Sequence, residues 1–468
     1  MSEIKVNKIS PRAACGTVTL GDSGDTFTIP AGATINNQGT ATNFGATGSA
    51  SWTTTVKTSG FTAVAGEGYF VNTTGGAVSV NLPAGTAGAV VAIKDYAETF
   101  DTNACTLVRN GSDKIGGVAE DSILETEGIA VTLIYIDSTQ GWLVTDSGLQ
   151  SDAPAPQFIT ATGGTITTVC TNYKVHTFTG PGTFQVTGVG NSSGSNTVSY
   201  VVVAGGGGGG AEEGGGGGAG GFRESKASSD SYTASPLNAT AGQPGYNLPV
   251  SIASYPIGVG GGGAGQTAAP GAAVNGVNST FSTITATGGG RGGGQCAPTQ
   301  TGAPGGSGGG GHGDGSGSAK AAGSGNTPPV SPPQGKDGGA GIGRNASDNE
   351  GGGGGGGATA AGAGGSNTPN PGGAGGNGGA GATTSISGSP VARAGGGGGA
   401  ATNPSGTIGS GGTGGGGDGT KSNPSTGGAG TVNTGSGGGG GGGNGGAGPA
   451  SKGGAGGSGL VIIRYKYQ

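Results

Sequence analysis

The feature that most limits what this chain can fold into is a series of glycine tracts, from Gly205 to Gly459, closed at each end by an apolar, β-prone segment. Thr197-Val198-Ser199-Tyr200-Val201-Val202-Val203 leads in, and Gly459-Leu460-Val461-Ile462-Ile463-Arg464-Tyr465-Lys466-Tyr467 leads out. With 124 Gly and 23 Pro in 468 residues, the composition is that of a low-complexity segment. The net charge of -5, however, supplies little of the self-repulsion that holds disordered chains open. Apolar strands at both ends suit a folded domain and have no use in a fraying tail. Pairing of 197–203 with 460–467 would close the whole region into one unit.

Each tract must hold a conformation that glycine tolerates. In a strand or α-helix, glycine is destabilising by about 0.5–1 kcal/mol against alanine. Polyproline II geometry, with three residues per turn, a rise of ~3.1 Å and no internal hydrogen bonds, suits it better. Packed side by side, polyglycine helices can satisfy one another's N–H and C=O groups, so the backbone itself becomes a core with its buried amides paired. Close approach adds Cα–H···O contacts of roughly 0.5–1 kcal/mol each. Such packing demands that non-glycine residues fall at every third position, on the face turned from neighbours. Gly372-Gly373-Ala374-Gly375-Gly376-Asn377-Gly378-Gly379-Ala380 obeys, as do Gly442-Gly443-Asn444-Gly445-Gly446-Ala447 and Gly453-Gly454-Ala455-Gly456-Gly457-Ser458. The unbroken run Gly351–Gly357 fits a central, fully surrounded helix. At this rise a seventeen-residue tract spans roughly 53 Å, so an elongated slab with connecting segments at its two ends is expected.

Upstream, the chain reads as all-β. Residues 1–45 are a polar lead with short β-prone runs at 16–20 and 25–30. They are too poor in apolar residues to build a core alone, so an oligomerising, tail-attachment stem is expected. Residues 46–150 carry strand candidates at 61–64, 68–71, 77–82, 89–93, 106–108, 131–136 and 141–144, with turn chemistry between them. This reads as a β-sandwich-like or jelly-roll-like module. Residues 151–160, containing Asp152-Ala153-Pro154-Ala155-Pro156, read as a linker. Residues 161–204 form a β segment leading into a polyglycine-helix domain at 205–459, and 460–468 the closing strand. The expected fold class is therefore all-β N-terminal and middle modules followed by a β-bookended domain of packed polyglycine II helices. No stretch carries the 3.6-residue period of a significant α-helix.

Composition excludes several functions. The 19 basic residues are scattered singly, whereas a nucleic-acid groove needs them clustered. No apolar run approaches the ~18–20 residues of a membrane span. Met1–Lys5 lacks the apolar region of a signal peptide, so synthesis in a cytoplasm is expected. Cys15, Cys105, Cys170 and Cys296 lie far apart without a CxxC pair, and isolated thiols are expected. His176 and His312 have no ligand-spaced partners. Gly-x-Gly-x-x-Gly strings lack the amphipathic helix that phosphate binding needs. Glu212-Glu213 and Glu120-Asp121 are acidic pairs with no sign of a cleft. Asp314, Asp348 and Asp418 in glycine-rich loops read as turn residues, with calcium binding the alternative. No enzyme activity, cofactor or metal is expected.

Adhesion needs exposed side chains on rigid supports. The segments between tracts supply candidates: Gln295, Thr299 and Gln300; Arg344, Asn345, Asp348 and Asn349; Thr383, Thr384, Ser385 and Arg393; Lys421, Ser422 and Asn423. The long segment 222–257, with Phe222, Tyr232, Tyr246 and Tyr255, reads as packed on the domain.

Val201-Val202-Val203-Ala204-Gly205, running into Gly214–Gly218-Ala219-Gly220-Gly221-Phe222-Arg223-Glu224, together with the closing 459–465, resembles the glycine-rich domain of bacteriophage tail fibres. The opening Met1–Pro11 and the stretch Gly21–Ile35 are similar to the start of fibre proteins of marine phages, including those of cyanobacteria. The region from Gly68 to Trp142 is similar to a β module of the same proteins. The resemblance covers nearly the whole chain. It implies a virion tail fibre or receptor-binding protein, a homotrimer held to the tail or an adaptor protein by its N-terminus. It also implies contact with a host outer-surface glycan or protein through loops at the distal end of the glycine-rich domain. The competing readings are a purely structural virion component, such as a connector or decoration fibre, and a polysaccharide-degrading tailspike. None of them requires nucleic acid or membrane insertion.

Overall fold

The structure, a computed structural model, describes residues 50–149, 157–191, 194–267, 271–295, 298–314, 318–343, 350–368, 373–402, 404–421, 424–443 and 451–468. The expected stem at 1–45 lies outside these residues. Two compact units divide the chain, Met1–Pro154 and Ala155–Gln468. The described residues form strands, turns and extended segments, with no α-helix among them.

In the first unit two sheets enclose one core. β1 (Ser51–Lys57), β3 (Glu67–Val71), β5 (Val90–Asp95), β8 (Ile129–Tyr135) and β9 (Trp142–Leu149) make one sheet, in that order. β2 (Phe61–Thr62), β4 (Val78–Asn81), β6 (Cys105–Val108) and β7 (Ser122–Leu124) make the other. Period-2 alternation turns Tyr69, Val71, Val80, Ile93, Leu107 and Leu133 into the space between them. From β1 to β6 the chain alternates between sheets, so the neighbours β1–β3–β5 and β2–β4–β6 run parallel. Only β7, β8 and β9 pair antiparallel. This is a wound coil of strands, whereas a jelly roll would place antiparallel neighbours throughout. β1 and β7 are the strands that alternation did not mark, because Ser-Trp-Thr-Thr-Thr-Val-Lys and Ser-Ile-Leu carry no apolar period.

The second unit is founded on β14 (Thr197–Val203) and β22 (Leu460–Lys466), which pair antiparallel from Ser199↔Arg464 to Val203↔Leu460. β22 lies between β14 and β12 (Tyr173–Phe178); β11 (Thr165–Val169) and β15 (Phe222–Ser225) form the edges, with β16 (Leu248–Pro249) on β14. A second sheet runs β10 (Thr160–Thr162), β13 (Gly182–Gly188), β17 (Ser254–Gly258), β18 (Ser279–Phe281), β19 (Ile284–Ala286). Between the sheets pack Phe178, Phe184, Tyr200, Val202, Phe281 and Ile463. The other face of β14 and β22 buries Val201, Val203 and Ile462 against Phe222, Tyr232 and Ile386. Burial on both faces is why these strands read as nearly continuous apolar runs. A hairpin of β20 (Ala382–Thr384) and β21 (Val391–Arg393) joins this second core.

From that base the glycine tracts form a lattice of backbone hydrogen bonds. Within 214–221, Gly215, Gly218 and Gly221 donate to Gly293, Gly290 and Thr287 in turn. Gly214, Gly217 and Gly220 donate to Gly441, Gly438 and Gly435, while Gly216 and Ala219 donate to Gly353 and Gly356. Every third residue thus addresses the same neighbour, the signature of a three-residue turn. The N···O distances lie between 2.7 and 3.0 Å. Carbonyls of the same tract accept from three further segments, through Gly207, Gly310 and Gly397 among others. Gly351–Gly357 is enclosed in the same way, donating to segments at 308–311, 360–363 and 397–400 and accepting from 216–219, 336–339 and 376–379. It is a central helix, as its unbroken glycine implied.

The third-position rule holds where a tract lies at the margin. Gly373, Gly376 and Gly379 are buried, while Asn377 is exposed and Ala374 and Ala380 half-buried. Lys452 and Ala455 are exposed on either side of the buried Gly453 and Gly454. Some of these residues also turn back to replace a missing neighbour. The Oδ1 atoms of Asn275, Asn278 and Asn377 accept the N–H groups of Arg291, Gly288 and Ser410, each at 2.9 Å. Gln334 Oε1 does the same for Thr287 N–H at 2.9 Å.

Candidate adhesive surface

The register of the lattice fixes which inter-tract segments lie together. Tract 205–210 leaves β14 and tract 214–221 returns to β15, so the turn Ala211–Glu213 marks the end remote from the central sheet. Gly210 and Gly215 bond across this end, Gly215 to Gly293, Gly293 to Gly310, and Gly214 to Gly441. Ala400 donates to Gly214 and Gly352 to Ala400 at the same level. The described residues that continue from Gly293, Ala401 and Gly441 therefore gather at one end.

Among the sequence candidates, Gln295, Thr299, Gln300 and Lys421 stand there. Gln295 and Lys421 are exposed, and Thr299 and Gln300 half-buried. The Thr299 carbonyl accepts from Gly294 N–H at 3.0 Å and from the Arg291 guanidinium at 3.3 Å, which holds the loop on its tract. Lys421 Nζ donates to the Gly406 carbonyl at 3.3 Å. Arg344, Asn345, Asp348, Asn349, Ser422 and Asn423 fall outside the described residues; the flanking Gly343, Glu350 and Lys421 belong to this end.

The group Thr383, Thr384, Ser385 and Arg393 sits elsewhere, on and beside the β20–β21 hairpin against the central sheet. Thr383 is exposed, and Ser385 N–H bonds to the Thr233 carbonyl at 2.9 Å. Thr384 and Arg393 are buried and leave the receptor-facing set. Thr384 Oγ1 donates to Glu224 Oε1. Burial pushes the Glu224 carboxyl upward, opposed by hydrogen bonds from Ser235 and Thr384. Burial also lowers Arg393, opposed by the Glu224 charge. These polar groups belong to the base of the domain.

A polar layer beneath the remote end escaped the sequence reading. Glu212 and Glu213 turn the chain with φ of 47° and 54°, a left-handed pair without glycine. Both are buried, as are His312, Asp314 and Glu350. His312 Nε2–H donates to the Glu212 carbonyl at 2.7 Å, so Nδ1 carries a bare lone pair, and it has no hydrogen-bond partner. Burial lowers this imidazole to about 4; the Glu212 bond and Asp314 oppose the shift, while Lys320 adds to it. Lys320 Nζ meets Asp314 Oδ2 at 2.8 Å, and Glu213 Oε2 lies 3.9 Å from His312. Two acidic residues wedged between pure glycine tracts were the available signal. Asp418 Oδ1 accepts Gly411 N–H at 2.7 Å, a turn role. Among the described residues no group of three or more His, Cys, Asp or Glu could hold a metal ion, and no helix is long and apolar enough to cross a membrane.

Among the described residues at this end there is no nucleophile with a base and no carboxylate pair across a cleft. The arrangement offers polar side chains on loops clamped to a stiff backbone lattice. A family model described as a glycine-rich domain matches residues 177–466, from within β12 to the last residue of β22. No curated protein matches the chain significantly.

Proposed function

The chain belongs to the glycine-rich domain family, and from that premise we propose that it is a phage tail fibre or receptor-binding protein that attaches the virion to a bacterial surface. The observation that carries this reading is the gathering of Gln295, Thr299, Gln300 and Lys421 at the lattice end remote from the central sheet. A binding surface needs side chains held against thermal motion, and a lattice whose bonds run in several directions supplies that support. The N-terminal resemblance supports attachment of residues 1–45 to a tail or adaptor protein, in a homotrimer. The host component would be a surface glycan or protein. The competing reading, a structural virion component without host contact, has no use for loops collected at one end.

The purified full-length protein is expected to bind host cells and to compete with infection. Replacing 295–301 by a Gly-Ser linker should abolish most adsorption, whereas Thr383→Ala, at the opposite end, should leave it unchanged. Adsorption that survives the loop replacement removes this loop as the contact, and a protein that never adsorbs favours the purely structural role.

A further inference from the structure

The outer face of the five-stranded sheet in the first unit carries a feature unrelated to the glycine lattice. Cross-strand register sets one residue from each strand in a single row. Trp52 lies opposite Gly68, Gly68 opposite Ala92, Ala92 opposite Thr132, and Thr132 opposite Asp146. A β-bulge completes the row. Val144 pairs with Leu133, yet Thr132 pairs with Asp146 and not with Thr145, so the extra residue turns Asp146 onto the face of Thr132. In an unbroken ladder Asp146 would fall opposite Val131, which is in the core.

Trp52 rests on the backbone of Gly68, where a Cβ would come within 2.7–3.0 Å of three indole carbons. Phe70 braces it at 5.0 Å between ring centroids, and 44% of Trp52 remains exposed. Beside it a trough of about 370 Å³ crosses the strands over Ala92, Ala130, Thr132 and Gly148 to Asp146. Four strand spacings of ~4.8 Å set its ends about 19 Å apart. Glycine and alanine on the floor leave no pocket for a peptide side chain. The platform at one end suits the C–H face of a sugar ring, which meets the negative face of the indole. Along the row, hydroxyl and carboxylate groups can take up hydroxyl hydrogens, and the carboxylate disfavours an anionic glycan.

We propose that this trough binds a neutral oligosaccharide, one pyranose ring stacked on Trp52 and later rings hydrogen-bonded to Thr132 and Asp146. The site lies in the first unit and is independent of the loops at the remote end of the second. Cellohexaose and chitohexaose, titrated into the full-length protein by calorimetry and tryptophan emission, test it. Binding of at least one probe is expected, with a change in emission from the exposed Trp52, since Trp142 is buried. Trp52→Ala should weaken affinity by about tenfold or more, Trp52→Phe by less, and Asp146→Asn by a smaller factor. Trp52 is on an exposed edge strand, so equal melting temperatures will separate lost binding from lost fold. The proposal is overturned if neither probe binds, or if Trp52→Ala binds as tightly as the parent. It is also overturned if the protein is a multimer whose Trp52 is shielded from acrylamide, which would make this face a contact between copies. Cell adsorption measured on the same variants distinguishes its failure from failure of the fibre reading.

Discussion

At Gly216 a methyl group would fall on the Gly397 carbonyl oxygen, whereas at Gly261 nothing lies within 4 Å. Gly216→Ala is therefore expected to destabilise the second unit by about 3 kcal/mol or more, and Gly261→Ala to stay within about 0.5 kcal/mol; chemical denaturation of the two variants compares them directly. His312 and His176 are both buried with lowered pKa, His312 to about 4. The folded state disfavours their protonated forms. Their contribution is complete above the unfolded value of about 6.5 and is lost as pH falls toward the folded one. For His312 this amounts to roughly 3 kcal/mol at most. Melting temperature should therefore fall less between pH 7 and pH 4.5 in His312→Gln than in the parent, and equal falls would remove His312 as the cause. The third-position rule located outward residues at the margin. It could not foresee Ser307 and His312, which are buried within a tract, because composition does not reveal where a cavity admits a side chain.

At the scale of elements, β22 holds the second unit together through Arg464. Its Nε lies 3.0 Å from Asp230 Oδ2 without an aligned hydrogen bond, and its guanidinium stands 4.3 Å from the Tyr173 ring and 5.2 Å from that of Tyr232. Nη1 donates to the Ile386 carbonyl at 3.3 Å, and Ser199 Oγ to Asp230 at 2.9 Å. Arg464→Met leaves Asp230 buried without its partner, a loss of about 3–5 kcal/mol. Adding Asp230→Asn should recover part of that loss, as a double-mutant cycle in denaturant would show. The β14–β22 pairing was legible because two-faced burial writes itself as an apolar run. The parallel coil of the first unit was not, since a period of two tells which face a residue occupies and never which strand lies beside it. The candidate site was half legible for a similar reason. Spacing shows that a segment lies between tracts, but only the number of tract crossings, odd or even, decides whether it emerges with Gln295 or beside the sheet with Thr383.

For the whole molecule, the two units rest on separate cores, and only the second depends on the β14–β22 pair. Removing 460–468 should abolish amide-exchange protection throughout the tracts while the first unit melts at an unchanged temperature; protection that persists would show that the lattice closes without its central strand. The cross-links of that lattice run at right angles to the tracts, and the remote loops are attached at tract ends. A pull on such a loop is directed along the tracts and loads the cross-links in shear, many together, where a hairpin pulled apart at its tip would release them singly. Tension at the remote end is thereby shared across the layer and delivered to the central sheet, so tracts of bare backbone can resist force with few side chains to grip.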